Sequence, residues 1–219
     1  AEDGIRDRSP SRGLGDVYKR QVHTIGYTSP HIEENRPSQQ EIYDILMGRR
    51  TDEGAGKKLP EGLTAREAYA EHVQNDMKEK YKQDFSSLTV TETIDSIEYF
   101  VFPNAFFFPG LQLSMVYRFR PNGVDGALFD LLFLRPKPID GPCPPPPDAF
   151  ELEIEDSYTK CPGTEFLGAV YDQDTNNLLS QTKGFKTSLK KGQSLGNYQE
   201  ARTRHLHQTI DKYLEEKNG

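Results

Sequence analysis

An alternating pattern of apolar and polar side chains runs through residues 113–120. Every second side chain is apolar or aromatic and would share one face of a strand, namely Leu113, Met115, Tyr117 and Phe119. Residues 121–126, PNGVDG, have the composition of a turn, and a second apolar segment follows at residues 127–134. The pattern predicts an antiparallel hairpin with one buried face.

Three further segments have strand-like composition: residues 99–102, 105–110 and 150–154. Seven prolines lie between Pro136 and Pro147. Such a run resembles a ligand of proline-recognising domains, and we interpret it as a stiff connector that leaves the sheet. The aromatic residues of the central strands, among them Phe106, Phe107 and Phe108, are compatible with an ordinary core or with the lining of a ligand cavity.

Helices are predicted on both sides of these strands. A Ser or Thr followed three residues later by Glu forms a capping box at Ser38/Glu41, Thr64/Glu67 and Thr89/Glu92. The boxes predict helices over residues 39–49, 65–83 and 93–98. A long terminal helix is predicted over residues 198–217, with an apolar stripe of Leu206, Ile210 and Tyr213. The chain is therefore an α+β protein.

One carboxylate occupies an unusual place in a further predicted helix, residues 167–181. At about 100° per residue, Asp174 lies within roughly 20° of the centre of the apolar stripe formed by Leu167, Val170, Tyr171, Leu178 and Gln181. Asp172 lies about 160° away and is expected to face outward. A carboxylate aimed at an apolar interior needs a cation, a hydrogen-bond network or a metal ion. Asp174 is therefore either a paired buried residue or a ligand.

The composition excludes several classes of protein. The net charge of −7 argues against a nucleic-acid partner, and the mean hydropathy of −0.76 is that of a water-soluble chain. No run approaches the roughly 18 apolar residues of a membrane helix. Cys143 and Cys161 are the only cysteines and form no CxxC, which excludes a disulfide framework or an iron–sulfur site built by this chain. A reducing, cytoplasmic setting is expected.

The histidines show no spacing typical of metal ligands. His205 and His207 are two residues apart, so on a helix they diverge by about 200°. His23 and His31 belong to an irregular segment. The chain offers one inward carboxylate and no pair of histidines for a metal.

Residues 1–21 differ from the rest of the sequence. They are rich in Gly, Arg, Ser and Asp and show neither helical nor strand periodicity. The piece SPSRGLGDVYKRQ resembles a translated adaptor sequence found in assembled transcripts. We expect residues 1–21 to be a non-native or disordered leader, and residues 22–219 to be a fragment of a longer protein.

Three stretches together resemble the catalytic domain of Rieske-type aromatic ring-hydroxylating oxygenase α subunits. They are IEYFVFPNAFFFPGLQLSMVYRFRPNGVDGALFDLLFLRPKP, LGAVYDQDTNNLLSQTKGFKTS and LGNYQEARTRHLHQTIDKYL. The likeness runs from about Val22 to Leu214 and keeps the three stretches in order. Its most specific parts are FPN followed by YRFRPNG, and the Asp-Gln-Asp helix.

The resemblance implies a fold and a metal. The family's catalytic domain is a helix-grip, START-like fold. In it a curved antiparallel sheet is wrapped on a long C-terminal helix, and a deep apolar pocket lies between the two. It holds a mononuclear non-haem Fe(II) between two histidines and one carboxylate. In the family this carboxylate lies on a helix in an FxxD-like motif. Tyr171 to Asp174 are similar to that motif, so the resemblance implies Asp174 as the ligand. Thr175 stands where some members have a second acid, which keeps Asp172 as the alternative ligand.

The resemblance also implies parts that this chain lacks. The family's two histidine ligands stand upstream of the matched region, and its Rieske domain carries a [2Fe–2S] cluster on two Cys and two His. The parent enzyme is expected to be a trimer that takes NAD(P)H-derived electrons from a ferredoxin or reductase. With dioxygen it would hydroxylate an aromatic substrate in a pocket walled by Phe106, Phe107, Phe108 and Tyr171. The fragment alone is expected to be inactive.

Two alternatives remain open at the level of sequence. Helix-grip domains also serve as non-catalytic carriers of hydrophobic ligands, for which an inward carboxylate has little use. The second alternative is a family member that has lost its metal and acts only as a subunit.

Overall fold

The computed structural model describes residues 18–28, 34, 36–49, 56–164, 167–190, 192–197 and 200–216. It divides the chain into two units, one of residues 1–142 with 204–219 and one of residues 143–203. Helices and antiparallel strands occur side by side, which confirms the α+β class.

Within the described residues, five antiparallel strands form one sheet in the order of the chain. They are β1 Tyr18–His23, β2 Ser96–Val101, β3 Ala105–Pro109, β4 Ser114–Pro121 and β5 Ala127–Phe133. The predicted hairpin is β4–β5, and its turn is closed by the Asn122 amide, which donates to the Gly126 carbonyl at 2.9 Å. Gly123 supplies a φ of +77°, a conformation that is cheap only for glycine.

Aromatic side chains pair across the strands of this sheet. Phe119 on β4 stacks on Phe129 of β5 with ring centroids 4.7 Å apart, and Phe106 on β3 meets Phe119 edge-on at 6.1 Å. Cross-strand aromatic pairs contribute packing beyond the area that they bury. The alternation in the sequence therefore correctly predicts which side chains share one face of the sheet.

Among the residues described between β1 and β2, three α-helices occur: α1 Gln39–Leu46, α2 Ala65–Tyr81 and α3 Val90–Ile94. All three predicted capping boxes are confirmed, since in each the Ser or Thr side chain accepts from the Glu backbone amide and the Glu carboxylate accepts from the cap amide. Ile42 and Tyr43 of α1 pack against Ala65 and Ala68 of α2 in a buried cluster. Ala70 and Val73 of α2 pack against Ile94 in a second cluster.

Removal of one cap should measurably weaken the fold. Thr64→Ala deletes the hydroxyl that accepts from the Glu67 amide, and we expect it to lower the free energy of unfolding by about 1 kcal/mol. Thr64→Ser keeps the hydroxyl and should cost only a small part of that. Urea unfolding of the three proteins measures both values, and equal stability of the Ala and Ser variants would contradict the cap.

A buried ion pair ties α2 to the residue that follows α3. The Arg66 guanidinium donates to both carboxylate oxygens of Asp95 at 2.8 Å, and the two side chains are 9% and 0% exposed. The Ile25 amide donates to the same carboxylate at 2.9 Å, and Arg66 also donates to the Ile25 carbonyl. Burial acts to raise the pKa of Asp95, but the Arg66 and Ile25 donors outweigh it and hold that pKa below its ordinary value.

A second carboxylate, Asp130 on β5, lies at the surface of the hairpin. It accepts from Arg118 at 2.8 Å and from Arg120 at 2.7 and 2.9 Å. These donors, Arg120 first, lower the pKa of Asp130 to about 2 from an ordinary value of 3.8.

This lowered pKa gives a pH-dependent contribution to stability. Because the folded-state pKa is depressed, the contribution is fully present above about pH 4 and is lost as the pH falls toward 2. Asp130→Asn should therefore be less stable than the wild type near neutral pH, by less than about 1 kcal/mol for so exposed a pair. Urea unfolding at several pH values should show this difference fading below pH 4. A difference that is constant over that range would contradict the assignment.

Several predicted boundaries differ from the structure. The third helix, predicted over residues 93–98, ends at Ile94, and Ser96 begins β2 because Asp95 adopts an extended conformation. The strand predicted over residues 150–154 is wrong: these residues pair with no described strand, and Phe150 and Ile154 are 55% and 75% exposed. Of the expected leader, residues 1–17 lie outside the described residues. β1 begins at Tyr18, four residues before the expected start of the domain, and pairs with β2.

The remaining helices are α4, Gly168–Thr187, and α5, Ala201–Glu216. α4 belongs to the second unit, which also contains a short 3-10 turn at Tyr158–Lys160. α5 is the predicted terminal helix. Its Tyr213 stacks on Phe102, which follows β2, with ring centroids 5.0 Å apart.

Candidate functional site

The first two turns of α4 pack against the 3-10 turn that precedes them. Tyr171 is 6% exposed, and its ring lies 5.5 Å from that of Tyr158. Gly168 faces Thr159 so closely that a Cβ atom would meet the Thr159 amide nitrogen at 2.8 Å. The covered side of α4 therefore consists of Gly168, Tyr171, Asp172 and Thr175, a stripe at spacings of three and four.

Asp172 faces this contact, contrary to the outward direction predicted for it. Its Oδ1 accepts from the Tyr158 amide at 2.8 Å, and its Oδ2 accepts from the Ser157 hydroxyl at 2.6 Å. Ser157 is the cap of the 3-10 turn. These two donors, Ser157 first, lower the pKa of Asp172 below its ordinary value. Both carboxylate oxygens of Asp172 are therefore engaged in holding the turn against α4.

Asp174 is exposed, so the inward direction predicted for it is wrong in this structure. The prediction took Val170 and Leu178 as buried, whereas they are 46% and 56% exposed. Only the first two turns of α4 are covered, and Asp174 lies about 110° from the centre of the covered stripe. Among the described residues, no side chain or backbone group forms a hydrogen bond with the Asp174 carboxylate, so both of its oxygens are available.

The described residues do not fit an iron ion by themselves. Within that part of the chain, no group of three or more His, Cys, Asp or Glu side chains is placed to hold a metal. His23 instead contacts Glu98 at 3.3 Å, and His72 contacts Asp76 at 3.4 Å. His205 and His207 lie on α5, whereas His31 lies outside the described residues. A 2-His-1-carboxylate set needs two imidazoles beside its carboxylate, and Asp174 has none among these residues.

The three phenylalanines proposed as pocket walls divide between the two faces of β3. Phe106 and Phe108 share one face, where Phe108 is 8% exposed and lies 4.7 Å from the Tyr117 ring. Phe107 points to the opposite face and is 41% exposed. A pocket on one face of the sheet can therefore use Phe106 and Phe108, but not Phe107.

Two features of the structure were not predicted from the sequence. The Arg66–Asp95 pair was missed, although Arg66 stands in line with Ala70, Val73 and Met77 at helical spacing, so the pattern contained the signal of a buried cation. A cavity beside α2 was not predictable either, because its lining comes from three separate segments.

The antiparallel sheet, with helices between β1 and β2 and after β5, defines a protein of the α+β class. Comparison with known proteins identifies its family. The model of the family described as ring hydroxylating alpha subunit (catalytic domain) matches residues 31–216. The chain belongs to this family, the catalytic domains of Rieske-type ring-hydroxylating oxygenase α subunits, which are oxidoreductases. The resemblance seen in the sequence is confirmed.

Searches of curated proteins and of solved structures gave no significant match. None of the helices in the described part of the chain combines the length and the apolar character needed to cross a membrane.

Proposed function

We propose that residues 22–219 are a fragment of the C-terminal catalytic domain of a Rieske non-haem iron oxygenase. The parent enzyme would hydroxylate an aromatic or similar apolar substrate, using dioxygen and NAD(P)H-derived electrons supplied through a ferredoxin or reductase. The observation that carries this proposal is the family match over residues 31–216. The [2Fe–2S] Rieske domain would lie outside this chain, and the full-length subunit would form a homotrimer.

We propose Asp174 as the carboxylate ligand of the mononuclear Fe(II). The contacts of α4 support Asp174 over Asp172, because Asp172 already accepts from Ser157 and Tyr158 whereas Asp174 keeps both oxygens available. The two histidine ligands would come from a segment outside this chain. Since the described residues do not fit the ion alone, we expect the isolated chain to hold no iron tightly and to be inactive.

The chain's own part in the proposed enzyme is to shape the substrate pocket. The contact of Tyr213 with Phe102 supports a helix-grip arrangement in which α5 packs on the sheet. Phe106 and Phe108 present aromatic rings on one face of β3, and Tyr171 presents a ring at the start of α4. We propose Phe106 and Phe108 as apolar walls of the pocket. For Tyr171, which belongs to the other unit, the resemblance to the family alone supports a place in the pocket. We also propose a reducing, cytoplasmic setting, in keeping with a sequence that has two cysteines and no CxxC.

Oxygen labelling tests the proposed activity. The full-length α subunit, supplied with iron, a ferredoxin–reductase pair, NAD(P)H and a panel of monocyclic and bicyclic arenes, should incorporate ¹⁸O from ¹⁸O₂ into a hydroxylated product. The 219-residue chain under the same conditions is the matched control and should give none. A full-length protein that contains iron and a reduced cluster but labels no arene would overturn the proposal.

The alternative is a non-catalytic carrier of hydrophobic ligands. The argument against a carrier was that Asp174 would point into the pocket. Asp174 is exposed instead, so this argument does not hold in the structure. The iron content of the full-length subunit separates the two functions. A carrier would bind arenes without retaining iron, whereas the proposed oxygenase retains iron through Asp174.

A further inference from the structure

A cavity of about 230 Å³, partly open to solvent, lies beside one face of α2. Five of its lining residues come from that helix at spacings of three and four: Tyr69, His72, Val73, Asp76 and Met77. Leu46 and Met47, at the end of α1, and Gln112, before β4, complete the lining. All of these segments belong to the same unit of the chain.

One end of the cavity is polar and its hydrogen bonds are incomplete. The Gln112 side-chain amide donates to the Tyr69 hydroxyl at 2.5 Å, which leaves the proton of that hydroxyl without an acceptor among the described residues. The carbonyl oxygen of the Gln112 side chain is buried and has no partner there either. A buried amide without its second partner calls for an explanation. Tyr69 and Gln112 together offer one donor and one acceptor.

The rest of the lining sets the polarity and charge of a ligand. Leu46, Met47, Val73 and Met77 are apolar, and methionine side chains adapt to the outline of a guest. The carboxylate of Asp76 lies 3.4 Å from His72, and its side chain is 64% exposed. A carboxylate at this position repels an anionic ligand.

The volume sets how much of a ligand the cavity can cover. An apolar cavity of about 150 Å³ in another protein holds benzene, whereas drug-sized ligands need about 300–1,000 Å³. The present cavity therefore suits one six-membered ring with a small substituent. A hydroxyl is the substituent that can accept from Tyr69 and donate to Gln112 at the same time.

We propose that this cavity binds small, uncharged, monocyclic phenols. The ring lies among Leu46, Met47, Val73 and Met77, and the hydroxyl bonds to Tyr69 and Gln112. The inference uses only the residues of the cavity, so it is independent of the proposed oxygenase function.

The methionines of the chain provide a direct test. There are three, of which Met47 and Met77 line the cavity while Met115, on β4, is 3% exposed and does not. In the 219-residue chain labelled with ¹³C-methyl methionine, titration with phenol should move the Met47 and Met77 signals along one saturable curve. The Met115 signal should stay in place. Benzoate should bind at least about tenfold more weakly than phenol, because its carboxylate has no proton to donate to the Gln112 carbonyl oxygen and lies near the Asp76 carboxylate.

A pair of matched variants tests the polar end. Tyr69→Phe removes the hydroxyl and should weaken phenol about fivefold, the effect of one neutral hydrogen bond, while toluene affinity is unchanged. Tyr81→Phe makes the same chemical change on α2 outside the cavity and should alter neither affinity. The proposal is overturned if no signal saturates, if Met115 moves with the other two, if benzoate binds as well as phenol, or if both variants behave alike.

Discussion

Asp95→Ala should lower the free energy of unfolding by about 3–5 kcal/mol, the cost of leaving one partner of a buried ion pair without the other. The carboxylate of Asp95 is fully buried and receives two hydrogen bonds from Arg66 and one from the Ile25 amide. Its removal leaves the guanidinium of Arg66 buried beside an apolar methyl group. Urea unfolding of the 219-residue chain, followed by circular dichroism, measures the loss.

Asp130→Ala is the matched control for this effect. Asp130 also accepts from two arginines, but those arginine side chains are about half exposed, so its removal should cost less than about 1 kcal/mol. A double variant, Arg66→Met with Asp95→Ala, should recover part of the loss, because it removes the unpaired charge. If Asp95→Ala costs no more than Asp130→Ala, the pair does not stabilise the fold as described.

Features fixed by neighbours in the chain were predictable. The three capping boxes each need residues only three positions apart, and the β4–β5 hairpin needs only its alternation and a glycine that can take a positive φ. In these elements local preference and final packing agree. Boundaries were less accurate, since α3 gives way to β2 one residue after its last turn.

Features fixed by distant contacts were not predictable. β1 pairs with β2 across more than 70 residues, from His23 opposite Ser96 to Tyr18 opposite Val101. The sequence near Tyr18 does not indicate which strand would pair with it. The Arg66–Asp95 pair joins a residue of α2 to the residue that follows α3. Periodicity can show that Arg66 faces inward, but it cannot name the carboxylate that meets it.

Asp172 and Asp174 show the same limit at the candidate site. Periodicity finds the apolar side of α4 on the assumption that the whole length of the helix is covered. The 3-10 turn covers only its first two turns, and this moves the buried side toward Asp172. The resemblance to the family and the helical periodicity both indicate Asp174. The argument from periodicity depends on how α4 packs, whereas the argument from the resemblance does not.

In the full-length α subunit, Asp174→Ala should abolish the retention of iron, whereas Asp172→Ala should leave it near the wild-type level. Without the Asp174 carboxylate, the iron would keep only two imidazole ligands and would lose the negative charge that balances the charge of the ion. Asp172 instead holds Ser157 and Tyr158, so its loss should loosen that turn and lower stability without removing a ligand. Iron per subunit, measured by mass spectrometry after desalting, and a melting curve for each variant separate these two roles.

The [2Fe–2S] absorbance of the same samples reports whether the rest of the subunit is intact. It should be equal in the wild type and both variants, because the cluster would be held in another domain. A folded Asp174→Ala protein with its full content of mononuclear iron would remove Asp174 from the ligand set. Loss of iron in Asp172→Ala alone would transfer the assignment to Asp172 and require its contacts with Ser157 and Tyr158 to give way in the assembled subunit.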